Sequence, residues 1–396
     1  MWYRVVRISS LIGRVFTVGL LTKFNYLEAA GALALLFTTS TLFNSALPPL
    51  HKEIYIKAVK NKVYSFRETF TNYFYPLLLI LFFSSLIVCI LIRNFLDQFE
   101  PSLLLNLLLF FYLFSEKIFD EFNRYSLTFQ KYFPWNIICI SRTILNNIIF
   151  FILIISGKYS EEIIFKFILI MFSISTITPF LLILKPLKIR RTLTYCYKSA
   201  KYSSFKFLTN KKVLKAWLIS LSMLLPTYSE RIASLTAGSS EKGKMYIAVS
   251  IFQLITFFVD LQINSNKKAE IIKNKSLKEL LRNSKIFIFS SLIITLVCLG
   301  YIFFNISDGL YNNFNNVFTL IILGLSIVLN SLSLIQEERI FWAKKYKAIF
   351  IEMLIISSLL LFSFIFLRFN TLILSIGIIS ANIARFTIST KIANEY

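Results

Sequence analysis

The sequence predicts an all-α polytopic membrane protein of about twelve transmembrane helices, divided into two related halves. Three observations carry that expectation. Apolar residues fall in blocks long enough to cross a bilayer, Lys and Arg collect in alternate loops, and features of the first half return in the second at a near-constant offset. Of 396 residues, 56% are hydrophobic and 16% charged; a soluble domain is roughly 45–50% apolar and about 25% charged. A helix needs about 20 apolar residues to cross about 30 Å of hydrocarbon. Membrane strands would leave shorter, alternating signals, so a barrel is not expected.

Read in windows of about 19 residues, the chain places spans at 5–22, 28–47, 73–93, 102–118, 136–156, 162–184, 213–235, 244–263, 286–305, 316–335, 348–367 and 369–388. The first and seventh carry charges. Arg7 and Arg14 interrupt the first block and no small-residue cleavage site follows it, so a cleavable signal peptide is not expected.

The net charge of +23 raises the question of nucleic acid, and the distribution of that charge answers it. Loops following even-numbered spans (51–68, 117–131, 185–215, 267–285 and 339–347) hold 29 Lys and Arg, against 6 in the odd-numbered loops. Positive charge marks the cytoplasmic side. Both termini are therefore expected in the cytoplasm, and the basic loops are expected to meet anionic membrane lipids rather than nucleic acid. The cysteines (Cys89, Cys139, Cys196 and Cys298) form no CxxC, and the only histidine, His51, lies in a loop. Disulfides, a metal centre and a His-based triad are not expected.

The longest polar interruption, 185–212, falls at the middle of the chain, which places one lobe at 1–200 and a second at 201–396. KFNYLEAAGALALLFTTSTLFNS at 23–45 matches TAGSSEKGKMYIAVSIFQLITFF at 236–258, with Glu28 or Glu241 and then Gly31 or Gly243 ahead of an apolar helix, at an offset of about 212 residues. EFNRYSLTFQKY at 121–132 matches EERIFWAKKY at 337–346 at a similar offset, and the basic loops 51–72 and 265–285 correspond. Each half has an even number of spans, so the repeats share one orientation, as in parallel-repeat transporters.

The polar first helix, the short loop with Glu-x-x-Gly and the apolar second helix, begun again at the seventh span, resemble the Wzx-type polysaccharide flippases of the multidrug/oligosaccharidyl-lipid/polysaccharide exporter superfamily. The matching segments are RISSLIGRVFTVGLLTKFNYLEAAGALALLF at 7–37 and PTYSERIASLTAGSSEKGKMYIAVSIFQLI at 226–255. The resemblance implies two six-helix lobes around a central cavity, working by alternating access in a bacterial inner membrane. It further implies that the chain is not an enzyme. The implied substrate is an oligosaccharide on undecaprenyl pyrophosphate, such as an O-antigen unit of lipopolysaccharide, and the implied partners are a polysaccharide polymerase and a chain-length regulator.

Ionisable residues inside spans are costly and tend to face water or a partner. Arg7, Ser10, Arg14 and Thr17 make one stripe on the first helix. Arginine matches phosphate with forked donors. Arg14, with Arg142 or Arg231, is therefore expected to hold the pyrophosphate in a hydrated cavity, while Arg7 snorkels or joins them. Arg142 and Asn146 share a face of the fifth span. In the seventh, Pro226 predicts a kink. Glu230 and Arg231 are adjacent and point about 100° apart, so they cannot face one partner. Glu230 and Asp260 are candidate couplers to H⁺ or Na⁺; no cofactor is expected. Glu116, Asp120 and Arg124, four apart, read as interface charges or as a cytoplasmic gate. Competing readings are a small-molecule exporter of the same superfamily, a membrane polysaccharide polymerase or transferase, and a channel. Outer loops of about ten residues leave an enzyme little room for a catalytic domain.

Overall fold

The computed structural model describes residues 2–46, 82–93, 96, 99–100, 102–128, 132–157, 159–184, 211–237, 241–263, 314–342, 346–367 and 370–394. Among these the regular structure is α-helical, with no strand. The helices are α1 (Trp2–Lys23), α2 (Leu27–Ala46), α3 (Phe82–Arg93), α4 (Leu103–Thr128), α5 (Tyr132–Ile155), α6 (Glu161–Leu184), α7 (Lys211–Ser222), α8 (Leu224–Ser234), α9 (Lys242–Ile263), α10 (Phe314–Trp342), α11 (Tyr346–Phe366) and α12 (Thr371–Asn394). Four carry stretches long and apolar enough to cross a membrane: Leu27–Ala46, Phe318–Glu337, Lys347–Phe366 and Thr371–Asn394. The protein is thus an α-helical, membrane-embedded chain. The predicted span 286–305, the loops 51–72 and 265–285 and most of the linker 185–212 lie outside the described residues.

Local chemistry sets the helix ends. After α1, Asn25 takes φ 62°, the left-handed position that asparagine tolerates. The Tyr26 and Asn25 amides then donate to the Leu21 and Thr22 carbonyls at 2.9 and 3.2 Å, closing a Schellman turn. Ser102 caps α4 by accepting from the Leu105 amide at 3.1 Å, and Asn370 caps α12 by accepting from the Leu372 and Ile373 amides. The N-terminus of α2 is capped from another helix. The Glu161 carboxylate of α6 accepts from the Ala29 amide at 2.8 Å, satisfying one of the donors every helix start leaves open.

Small residues bring helices together. Ala29, Ala30, Gly31, Ala32 and Ala34 of α2 are all buried. At Gly13, an added Cβ would stand 2.2 Å from the Thr143 methyl of α5, so α1 and α5 cross in near backbone contact.

The chain forms two compact units, Met1–Leu221 and Ser222–Tyr396. Within the first, α1 packs on α2 and α5, α2 on α4 and α6, α4 on α5 and α6, and α5 on α6. Within the second, α8 packs on α9, α10, α11 and α12, α9 on α10, α10 on α11 and α12, and α11 on α12. Take α1, α2, α4, α5 and α6 as the counterparts of α8, α9, α10, α11 and α12, the order in which the predicted spans fall. Every principal pair of the first unit except α2–α6 then recurs in the second.

Several helices overrun the predicted spans, α10 to Trp342 and α12 to Asn394 among them, and two departures have a local cause. The fourth predicted span stops at 118, whereas α4 runs to Thr128, because Lys117 does not end it: its ammonium is buried and donates to the Asn44 carbonyl at 3.1 Å. The seventh predicted span is two helices, α7 and α8, parted at Met223. Pro226 has no N–H to offer the Ser222 carbonyl four residues back, and the Ser357 hydroxyl of α11 donates to that carbonyl instead, at 2.6 Å. The helix is interrupted at Met223, three residues before Pro226, and the carbonyl that Pro226 leaves open has a substitute donor.

Candidate functional site

In the first unit, polar groups gather where α1, α2 and α4 meet. Arg14 of α1 donates to the Glu116 carboxylate of α4 at 2.8 Å and to the Thr41 hydroxyl of α2 at 3.3 Å. Its guanidinium also stands 5.2 Å from the Phe37 ring centroid, a cation–π approach. The Arg14 side chain keeps 20% of its exposure while Glu116 keeps 3%, so the cation is the more exposed half of the pair. One helical turn along α1, the Thr17 hydroxyl lies 2.8 Å from both the Gly13 carbonyl and the Asn147 amide oxygen. Asn146 donates to Ser175 of α6 at 3.0 Å. Lys117 lies 3.5 Å from Asp120. The expected stripe Arg14–Thr17 thus faces α2, α4 and α5, and Glu116 and Asp120 each meet a cation. The side chains of Arg7, Arg124 and Arg142 lie outside the described residues.

In the second unit the polar groups are buried more deeply. On α8, Pro226, Ser229, Glu230 and Ala233 form the buried stripe at helical spacing. The Glu230 Oε1 atom accepts from Ser326 of α10 at 3.1 Å and from Asn382 of α12 at 2.9 Å, and Asn382 also donates to Ser326 at 2.7 Å. Arg231, the next residue, leaves this stripe and donates from Nε to Gln253 of α9. The divergence read from adjacency is realised: the two residues meet different helices. The Asp260 side chain lies outside the described residues.

Beside Glu230 is a second cluster, which the sequence reading did not assemble. Arg385 of α12, fully buried, donates to both oxygens of Glu337 of α10, from Nε at 2.6 Å and from Nη2 at 2.9 Å. Its Nη1 donates to the Pro226 carbonyl at 3.0 Å and to the Asn330 amide oxygen, while Asn330 Nδ2 donates to the same carbonyl at 3.1 Å. A fork-to-fork pair with both Nη1 donors also engaged is the arrangement in which a buried charge is tolerated. The available signal was periodic. Ser326, Asn330, Ser333 and Glu337 stand at helical spacing on α10, and Ser375, Asn382, Arg385 and Ser389 do so on α12. Each is a polar stripe on an otherwise apolar helix.

Chemically, the first cluster offers a partly accessible guanidinium with hydroxyl neighbours, suited to an anion. The second offers buried carboxylates, suited to a proton or a cation. Among the described residues no group of His, Cys, Asp and Glu is arranged to hold a metal ion. No protein-family model, curated protein or solved structure matches the chain.

Proposed function

We propose that the chain is a flippase that carries undecaprenyl-pyrophosphate-linked oligosaccharide units from the cytoplasmic to the outer leaflet of a bacterial inner membrane by alternating access. The observation that carries the reading is the recurrence of one internal packing scheme in two successive units, each opening on a polar helix followed by Glu-x-x-Gly or its near-equivalent. That is the expectation for a parallel repeat with six spans in each half and about twelve in all. Both termini are proposed to be cytoplasmic, a reading supported by the distribution of Lys and Arg.

In this mechanism the pyrophosphate is the group that cannot cross bare hydrocarbon. Arg14 receives it, sharing or exchanging Glu116 for the incoming anion, and Arg142 of the same unit adds a second cation. The polyprenyl tail stays in lipid. Glu230 is the coupling residue for H⁺ or Na⁺ in the second unit.

A second reading, a small-molecule exporter of the same superfamily, is favoured by one observation: three carboxylates of the second unit (Glu230, Glu337 and Glu352) are buried. A deletion strain separates the two. Loss of surface glycan with lipid-linked units held in the cytoplasmic leaflet supports the flippase. Intact surface glycan with raised drug sensitivity supports the exporter. Short units reaching the outer leaflet with only polymer missing points to a polymerase.

A further inference from the structure

Three carboxylates buried among the described residues of the second unit differ in what meets them. Glu337 receives the Arg385 fork. Glu230 receives two neutral donors on one oxygen. Glu352 of α11, 1% exposed, has no hydrogen-bond partner on either oxygen. It lies on the buried stripe of its helix with Ile349, Met353 and Ile356. The charges acting on it come from Glu337 of α10 and Arg385 of α12. From α8, Glu230 acts on Arg385. Lys347 on its own helix and Lys391 at the end of α12 are exposed. Among these three carboxyl groups Arg385 is hydrogen-bonded to Glu337, and the one with no donor among the described residues is Glu352. A carboxylate left without donors in apolar surroundings is far more costly than the neutral acid.

We propose that Glu352 is a proton-binding site, and that its occupancy is read by the Arg385–Glu337 pair. With the proton on, an O–H bond replaces the anionic charge and Arg385 stays with Glu337. When the proton leaves to water, Glu352 becomes a second anion competing for the same guanidinium. Arg385 is also, with Asn330, a donor to the Pro226 carbonyl at the start of α8, so protonation of α11 is transmitted to the helix break. The site does not depend on what the protein transports.

The test uses the full chain purified in detergent. Infrared spectra of the wild type are compared with those of Glu352→Gln, in which the amide copies the shape of the neutral acid. The expected difference is the C=O stretch of a protonated carboxyl, present in the wild type, absent from the variant, and replaced by carboxylate bands as the pH is raised. Absence of that band over the whole pH range overturns the proposal, as does a band that no pH change removes. As a second readout, dicyclohexylcarbodiimide, which adds to protonated carboxyls in apolar surroundings, should modify Glu352 and leave Glu337 unmodified. Modification of Glu337 in preference to Glu352 also counts against the assignment.

Discussion

In the proposed mechanism Arg14 is the residue on which binding turns, and its partner Glu116 makes the proposal testable. Replacing Arg14 by Ala should abolish export at normal protein levels, with surface glycan as the readout. Because Glu116 is buried beneath it, that variant also strands a carboxylate and should cost about 3 kcal/mol of stability. Glu116→Gln separates the two effects. If Arg14 serves the anion, freeing it tightens binding of a pyrophosphate-bearing lipid; if the pair is only structural, thermal stability falls and binding is unchanged. In the second unit, Glu337→Gln should destabilise by about 3–5 kcal/mol, as expected when one half of a buried pair is removed. The double variant Glu337→Met with Arg385→Met should recover much of that loss in thermal unfolding. These residues were unequally legible in the sequence. Charge inside an apolar block is enough to single out Arg14, Glu230 and Arg385. It does not reveal that Arg14 meets Glu116, 102 residues away, or that Arg385 meets Glu337, because a helical stripe specifies a face and leaves the neighbour open.

At the scale of elements, hydropathy locates helices well and their interruptions poorly. The windows read 213–235 as one span, since Met223 and its neighbours are as apolar as a continuous helix. Pro226 signals a kink but not where the freed carbonyl finds a donor. The Ser357–Ser222 hydrogen bond supplies that donor, and a double-mutant cycle can weigh it. Ser357→Ala should cost about 1–3 kcal/mol in the wild type, where it leaves the Ser222 carbonyl unpartnered. In a Pro226→Ala background the restored amide can take the carbonyl, and the same substitution should cost little. Equal losses in both backgrounds would contradict this account of the break. Lys117 teaches a related lesson: counted as a loop cation, it is buried inside α4, where the Asn44 carbonyl at the end of α2 receives it. At Gly324 an added Cβ would meet the Phe252 ring at 2.6 Å. Gly324→Ala should therefore destabilise the second unit by forcing α9 and α10 apart, measurable as a lowered melting temperature.

At the scale of the whole molecule, two units repeat one packing scheme, and the proposed transport is built on that repetition. Segment composition made the class legible, because an α-helical membrane chain is declared by apolar length. The repeat was legible only faintly, at Glu28 and Glu241 and at Gly31 and Gly243, since apolar helices tolerate wide substitution on the same backbone. The most direct test of the flippase reading is reconstitution into liposomes with a short-chain polyprenyl-pyrophosphate-linked oligosaccharide confined to one leaflet, followed by a membrane-impermeant enzyme that acts on exposed sugar. The account predicts that sugar in the protected leaflet becomes accessible with the wild-type protein and stays protected with Arg14→Ala. Protection that persists with a folded wild-type protein, under either an imposed proton or sodium gradient, would contradict it.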